Sequence, residues 1–247
     1  MIGLVLGALI GAAGGLFGIG GGLLAIPVLG IFFGLDEQHA QGTSLLLVTP
    51  NVLVALVGYA RRHKMDLRMA VLLALTAIPF TSLGAHIATH APSAALRRGF
   101  ALFLAALACY LLIRLLRGRR GIAPPDGAGA AWPWAAFVGA GAGVISGLFS
   151  VGGAVFAVPI MTLLFGLTQA AAQGLGLALV APGTLVGLAA YVRAGDVDWQ
   201  LGIPLAIGGV FFVNAGVALA HRLPDLVLRI LFTILLAVSA AALLWKA

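Results

Sequence analysis

Negative charge is scarce in this sequence: seven of its 247 residues are Asp or Glu, and residues of either charge make up 9%. Soluble domains carry nearer a quarter. That class is excluded, and 62% hydrophobic residues with a mean hydropathy of +1.14 describe an all-α polytopic membrane protein. Cysteine is nearly absent. Cys109 has no disulfide or metal-site partner and is expected to pack as a small hydrophobe. The carboxylates Asp36, Glu37, Asp66, Asp126, Asp196, Asp198 and Asp225 all fall in expected connections, whereas a cation carrier would hold an acid near the midplane. Their placement favours an anionic or neutral solute. No phosphate loop, zinc motif or nucleophile elbow occurs, and no cluster of carboxylates, cysteines or histidines lies in a span, so an enzyme is not expected and neither is a catalytic residue, a metal or a cofactor. A charged N-terminal region is also lacking; the chain is apolar from Ile2, a poor signal peptide, and its start is expected to be retained.

Basic residues and glycine are what the chain does have. The net charge of +7 comes from Lys and Arg gathered in short connections near 61–68 and 114–120, which read as orientation signals rather than a nucleic-acid surface. Glycine numbers 35, and its densest run is GGLFGIGGGLLAIP, from Gly14 to Pro27. Each glycine costs roughly 1 kcal/mol in a helix interior. A helix through Gly18, Gly20, Gly21 and Gly22 should therefore break, and the helix restarting beyond it would offer unpaired N–H groups to an anion. Upstream, Gly3, Gly7, Gly11 and Gly15 recur every fourth residue, leaving one helix face bare for close approach by another helix.

The run returns as SGLFSVGGAVFAVP at Ser146 to Pro159, an offset of 132 positions. Over residues 15–66, 23 of 52 positions are identical at that offset, among them Gly20/Gly152, Gly21/Gly153, Pro27/Pro159, Gln41/Gln173, Pro50/Pro182, Tyr59/Tyr191 and Asp66/Asp198. Residues 1–117 thus read as repeat 1, 118–132 as a Gly/Ala/Pro-rich cytoplasmic linker and 133–247 as repeat 2, together one transmembrane domain. Duplication with interrupted segments at matching places points to a secondary transporter and to its substrate site. An odd number of crossings per repeat would make the halves inverted and an even number parallel. The Lys and Arg distribution is tied between them, and the length of residues 2–33, too great for one crossing, favours inversion with a discontinuous or re-entrant helix in each half.

With these residues in view, the chain resembles the TauE/SafE family of sulfite exporters, also called the TSUP family of anion permeases. The resemblance is carried by the duplicated glycine segment ending in proline, by GTSLLLV at Gly42 to Val48, by the basic loop ending Met65-Asp66-Leu67-Arg68, and by Ala77-Ile78-Pro79 leading to Gly84. It covers nearly the whole chain. It implies a multi-pass permease of the bacterial inner membrane for a small sulfur-containing or organic anion, without choosing the anion. Repeat 2 departs from the pattern where Ser150 stands for Gly18, Ala154 for Gly22 and Leu175-Gly176 for Thr43-Ser44, so the halves are expected to contribute unequally.

The expected anion donors are the backbone N–H groups of Gly20, Gly21, Gly22, Gly152 and Gly153, completed by side chains of Gln41, Thr43, Ser44, Asn51, Ser150 and Gln173. Arg61 and Arg193, at the ends of matched spans, either snorkel to headgroups or draw anions to the pore mouths. Thr49 and Thr184 either bond back to their own helices or face the site, and Asn51 and Asn214 serve equally well as interhelical links. His86 is a candidate proton exchanger or simply a hydrogen-bonded helix-end residue. The expected function is alternating-access transport of a small anion, with an anion channel or a membrane scaffold as alternatives. Proton coupling and homo-oligomerisation stay open.

Overall fold

The structure is a computed structural model that describes residues 2–61, 66–117 and 131–245, without the side chains of 131 and 132. Most of the expected linker and part of the basic connection, Arg62 to Met65, lie outside the described residues. In order the helices are α1 (Ile2–Phe17), α2 (Gly22–Phe32), α3 (Glu37–Ala60), α4 (Leu67–His90) and α5 (Ser93–Leu116), then α6 (Ala131–Phe149), α7 (Ala154–Leu164), α8 (Gln169–Ala194), α9 (Trp199–Ala220) and α10 (Asp225–Trp245). Six of them, α3, α4, α5, α8, α9 and α10, are long and apolar enough to cross a membrane; α1, α2, α6 and α7 are shorter apolar helices. At 1.5 Å per residue a 24-residue helix such as α3 is about 36 Å long, sufficient for a hydrocarbon core of about 30 Å.

Burial sorts the spans. α3 and α8 are the most enclosed, while α4, α5, α9 and α10 turn Leu75, Leu102, Phe211 and Val238 outward. In water such a surface would aggregate; against acyl chains it is the solvated face. Helix starts carry their own signals: Asp36 caps α3, Asp66 caps α4, Thr168 caps α8 and Asp198 caps α9, each side chain accepting from N–H groups of the first turn.

The glycine stripe of α1 packs on α9. A methyl group at Gly7 would stand 2.1 Å from the Leu205 carbonyl oxygen, at Gly11 2.4 Å from Gly209, and at Gly15 2.1 Å from the Val213 carbonyl oxygen. α6 lies on α4 in the same way, with Gly139 against Leu73 and Thr76, Gly143 against Ala77 and Gly147 against Thr81. Backbones this close gain dispersion energy that side chains would prevent. At the centre α3 and α8 run antiparallel, since Gln41 near the start of α3 meets Tyr191 near the end of α8, and Tyr59 near the end of α3 meets Gln173 near the start of α8.

The structure departs from three expectations. Glu37 is not in a connection: it is the first residue of α3, 5% exposed, and it accepts from the Gln41 amide, because Asp36 caps the helix one residue earlier. Asp225 likewise opens α10 as its first residue. Cys109 is exposed on α5 rather than packed inside, the inward face being held by Leu104 and Ala108.

Candidate central site

Between α1 and α2 the chain reverses through Gly18, Gly20 and Gly21, with φ of 64°, 72° and 100°. The reversal brings Gly20 beside Gly14 and Gly21 beside Ile10, so the chain doubles back along α1 before α2 begins. Only glycine enters that region at no steric cost. In the second half the helix stops at Phe149 and resumes at Ala154, with Gly153 beside Ala142; Ser150 there holds φ 52°, the one described non-glycine residue with positive φ.

The two interruptions touch. A methyl group at Gly22 would stand 3.0 Å from the Ser150 carbonyl oxygen and 3.1 Å from Val151 Cα. Gly20 lies against Val48 and Val52, and Gly152 against Val180, all near the midpoints of α3 and α8. At the restarts, Leu24 and Ala25 donate to the Gly21 carbonyl, and Phe156 and Ala157 to that of Gly153. Val155 donates to the Gly152 carbonyl, and the N–H groups ahead of these have no acceptor within their own helices.

Around the junction two buried tyrosines reach across to two buried glutamines. The Tyr59 hydroxyl donates to Gln173 Oε1 at 2.7 Å, and the Tyr191 hydroxyl donates to Gln41 Oε1 at 2.6 Å. All four side chains are fully buried. The glutamines then differ. Gln41 Nε2 donates to Glu37 Oε1 at 3.1 Å. Gln173, whose neighbour one turn back is Gln169 rather than an acid, leaves Nε2 buried without an acceptor among the described residues. Gln173 packs directly on Gly18, so this unspent donor lies at the first interruption.

The remaining expected residues separate. Asn51 donates to the Gly20 carbonyl at 3.3 Å while its Oδ1 is unpaired among the described residues. Thr43 accepts from the Asp198 N–H at 2.9 Å and so docks the connection before α9; Ser44 bonds back to the Gln41 carbonyl. Ser44 thus spends its O–H donor on the protein, as Thr184 does on the Ala181 carbonyl, whereas Thr43 serves there as an acceptor. Thr49 Oγ1 is buried and unpaired among the described residues. Arg61 and Arg193 are exposed at helix ends, Arg61 bordering a surface groove with Asn214, and His86 is exposed beside His90.

Tyr59 and Tyr191, which stand out in the sequence only as a matched pair of the two repeats, belong to the centre as well. The available signal was a matched pair of phenols, each a costly group to bury without a partner. No group of three His, Cys, Asp or Glu gathers among the described residues.

A family model described as "Sulfite exporter TauE/SafE" matches residues 3–243. The chain belongs to that family. It is a multi-pass membrane protein of a transporter family, and its relatives are named accordingly. A probable membrane transporter protein of Xylella fastidiosa (strain 9a5c) is 31% identical over 87% of this chain and 83% of its own. YunE of Bacillus subtilis (strain 168), also called a probable membrane transporter protein, is 23% identical over 98% of this chain and 96% of its own. A Methanocaldococcus jannaschii protein of the same description is 26% identical over 95% and 91%. No solved structure matches.

Proposed function

We propose that this member of the TauE/SafE family is a secondary transporter for a small oxyanion, sulfite-like or an organic sulfonate or carboxylate, working by alternating access between two inverted repeats. The carrying observation is the junction itself: two interrupted helices touch halfway along α3 and α8, and Gln173, packed on Gly18 of the first interruption, keeps a buried amide donor that no described group takes up. Each restarting helix adds a partial positive charge of about +0.5. A buried donor without a partner costs about 1–3 kcal/mol, and a bound oxyanion supplies the missing acceptor. The antiparallel course of α3 and its repeat mate α8 supports inversion. Because Glu37 ties up Gln41, the anion is held mainly on the Gln173 side, and the halves contribute unequally.

The test is thermal stabilisation of the purified protein by sulfite, thiosulfate, sulfate, sulfoacetate and simple carboxylates, in the parent and in Gln173→Met, which keeps the volume and removes the donor. One or more anions should stabilise the parent and lose about tenfold in affinity in the variant, equivalent to one charge-assisted hydrogen bond. Flux into proteoliposomes should saturate with anion concentration; unsaturable flux would instead describe a channel. Equal stabilisation of parent and variant would remove Gln173 from the site.

A further inference from the structure

A second polar recess lies away from the junction, in a cleft of about 170 Å3 where α5, α7, α8 and α10 come together. Its polar wall is Arg114, Arg229, Thr162, Gln169 and Thr233; Leu115 and Phe232 are among its apolar lining. All of these but Thr233 lie close to a helix end: Arg114 near the end of α5, Thr162 near the end of α7, Gln169 at the start of α8, Arg229 in the first turns of α10. α5, α8 and α10 are of spanning length, which places their ends at headgroup depth.

The charges of the cleft do not balance. Arg229 Nη2 holds Asp225 Oδ2 at 2.8 Å, and the other oxygen of Asp225 accepts from the Gln169 N–H at 2.6 Å, so that acid is fully engaged. Arg114 has no ion pair among the described residues, which leaves one net positive charge. Arg114 Nη2 and Arg229 Nε are both buried and without an acceptor among the described residues. Two guanidinium groups with unused N–H bonds match the spaced oxygens of a phosphate. The apolar wall beside them suits an acyl chain.

We propose that this cleft binds the phosphate of an anionic membrane lipid, between Arg114 and Arg229, with an acyl chain along Leu115 and Phe232. Bound there, the lipid bridges α5 to α10, helices of opposite halves, and ties their ends together.

The experiment titrates the delipidated full chain, in neutral detergent, with dioleoylphosphatidylglycerol, dioleoylphosphatidylcholine or inorganic phosphate, reading melting temperature and bound lipid by native mass spectrometry. Phosphatidylglycerol should raise the melting temperature and remain bound, and the other two should do neither. Arg114→Gln, which breaks no ion pair, should weaken phosphatidylglycerol binding about tenfold, as loss of a charge-assisted contact does, while Arg229→Lys should retain part of it. The exposed Arg98→Gln and the central Gln173→Met should bind like the parent, so failure at the central site leaves this result untouched. Equal binding of phosphatidylcholine, full binding by Arg114→Gln, or stabilisation by inorganic phosphate alone would overturn the proposal.

Discussion

Tyr59 and Tyr191 show how single residues hold the centre. Each phenol is fully buried and completes a bond to a glutamine from the other half of the chain. Tyr59 also approaches the Gly15 carbonyl at 3.2 Å, at the end of the first short helix. Removing the hydroxyl leaves a buried amide oxygen without its donor, a loss of about 1–3 kcal/mol. Tyr59→Phe should accordingly lower stability by that amount in chemical denaturation in detergent, with Tyr110→Phe, exposed on α5, close to neutral. A Tyr59→Phe protein as stable as the parent would mean that the crossed pair contributes nothing. The sequence showed both tyrosines and both glutamines at matched positions; it did not show that each tyrosine pairs with the glutamine of the other copy.

At the scale of elements, glycines of the same type have opposite uses. Gly11 lies where a side chain would meet the Gly209 backbone at 2.4 Å, whereas Gly34, with φ 70°, has nothing within 4 Å of where a Cβ would stand. Gly11→Leu must push α1 off α9 and should prevent assembly of a stable, monodisperse protein, since overpacking a closed interface costs several kcal/mol. Gly34→Ala should cost only about 1 kcal/mol, the price of a left-handed alanine. Size-exclusion profiles and melting temperatures of the two variants separate these outcomes. The stripe at 3, 7, 11 and 15 was legible from its spacing because four residues bring Cα atoms onto one helix face. Its partner was not, since α9 lies nearly 200 residues away in the chain.

For the whole molecule, the connections at one end of the bundle carry a pH response. Burial raises the Asp196 carboxyl above its ordinary range, His39 opposing this and Asp36 adding to it. Asp36 itself is also pushed up by burial, but its hydrogen bonds from His39 outweigh that and hold it below the ordinary range. A raised acid contributes stability below its unfolded value and loses it as pH rises through the folded value; a lowered acid contributes above its unfolded value and loses it as pH falls through the folded one. Asp196→Asn, fixing the neutral form, should therefore melt higher than the parent at pH 7, with the gap closing as pH falls into the carboxylate range. A melting difference of opposite sign, or one independent of pH, would show that Asp196 is not destabilised by ionisation.

By itself the sequence determined that the chain lives in a bilayer, that it consists of helices and that a glycine-rich segment recurs at an offset of 132, because hydropathy, helix propensity and repetition are local or additive properties. Tertiary structure decided which helices meet. It set α3 against α8 in opposite directions, a choice on which the lysine and arginine distribution was silent, and it buried Glu37 against Gln41 while leaving Gln173 with a donor to spare. The reason is physical: whether a buried polar group is satisfied depends on atoms brought from distant positions, and no spacing within one segment records their arrival.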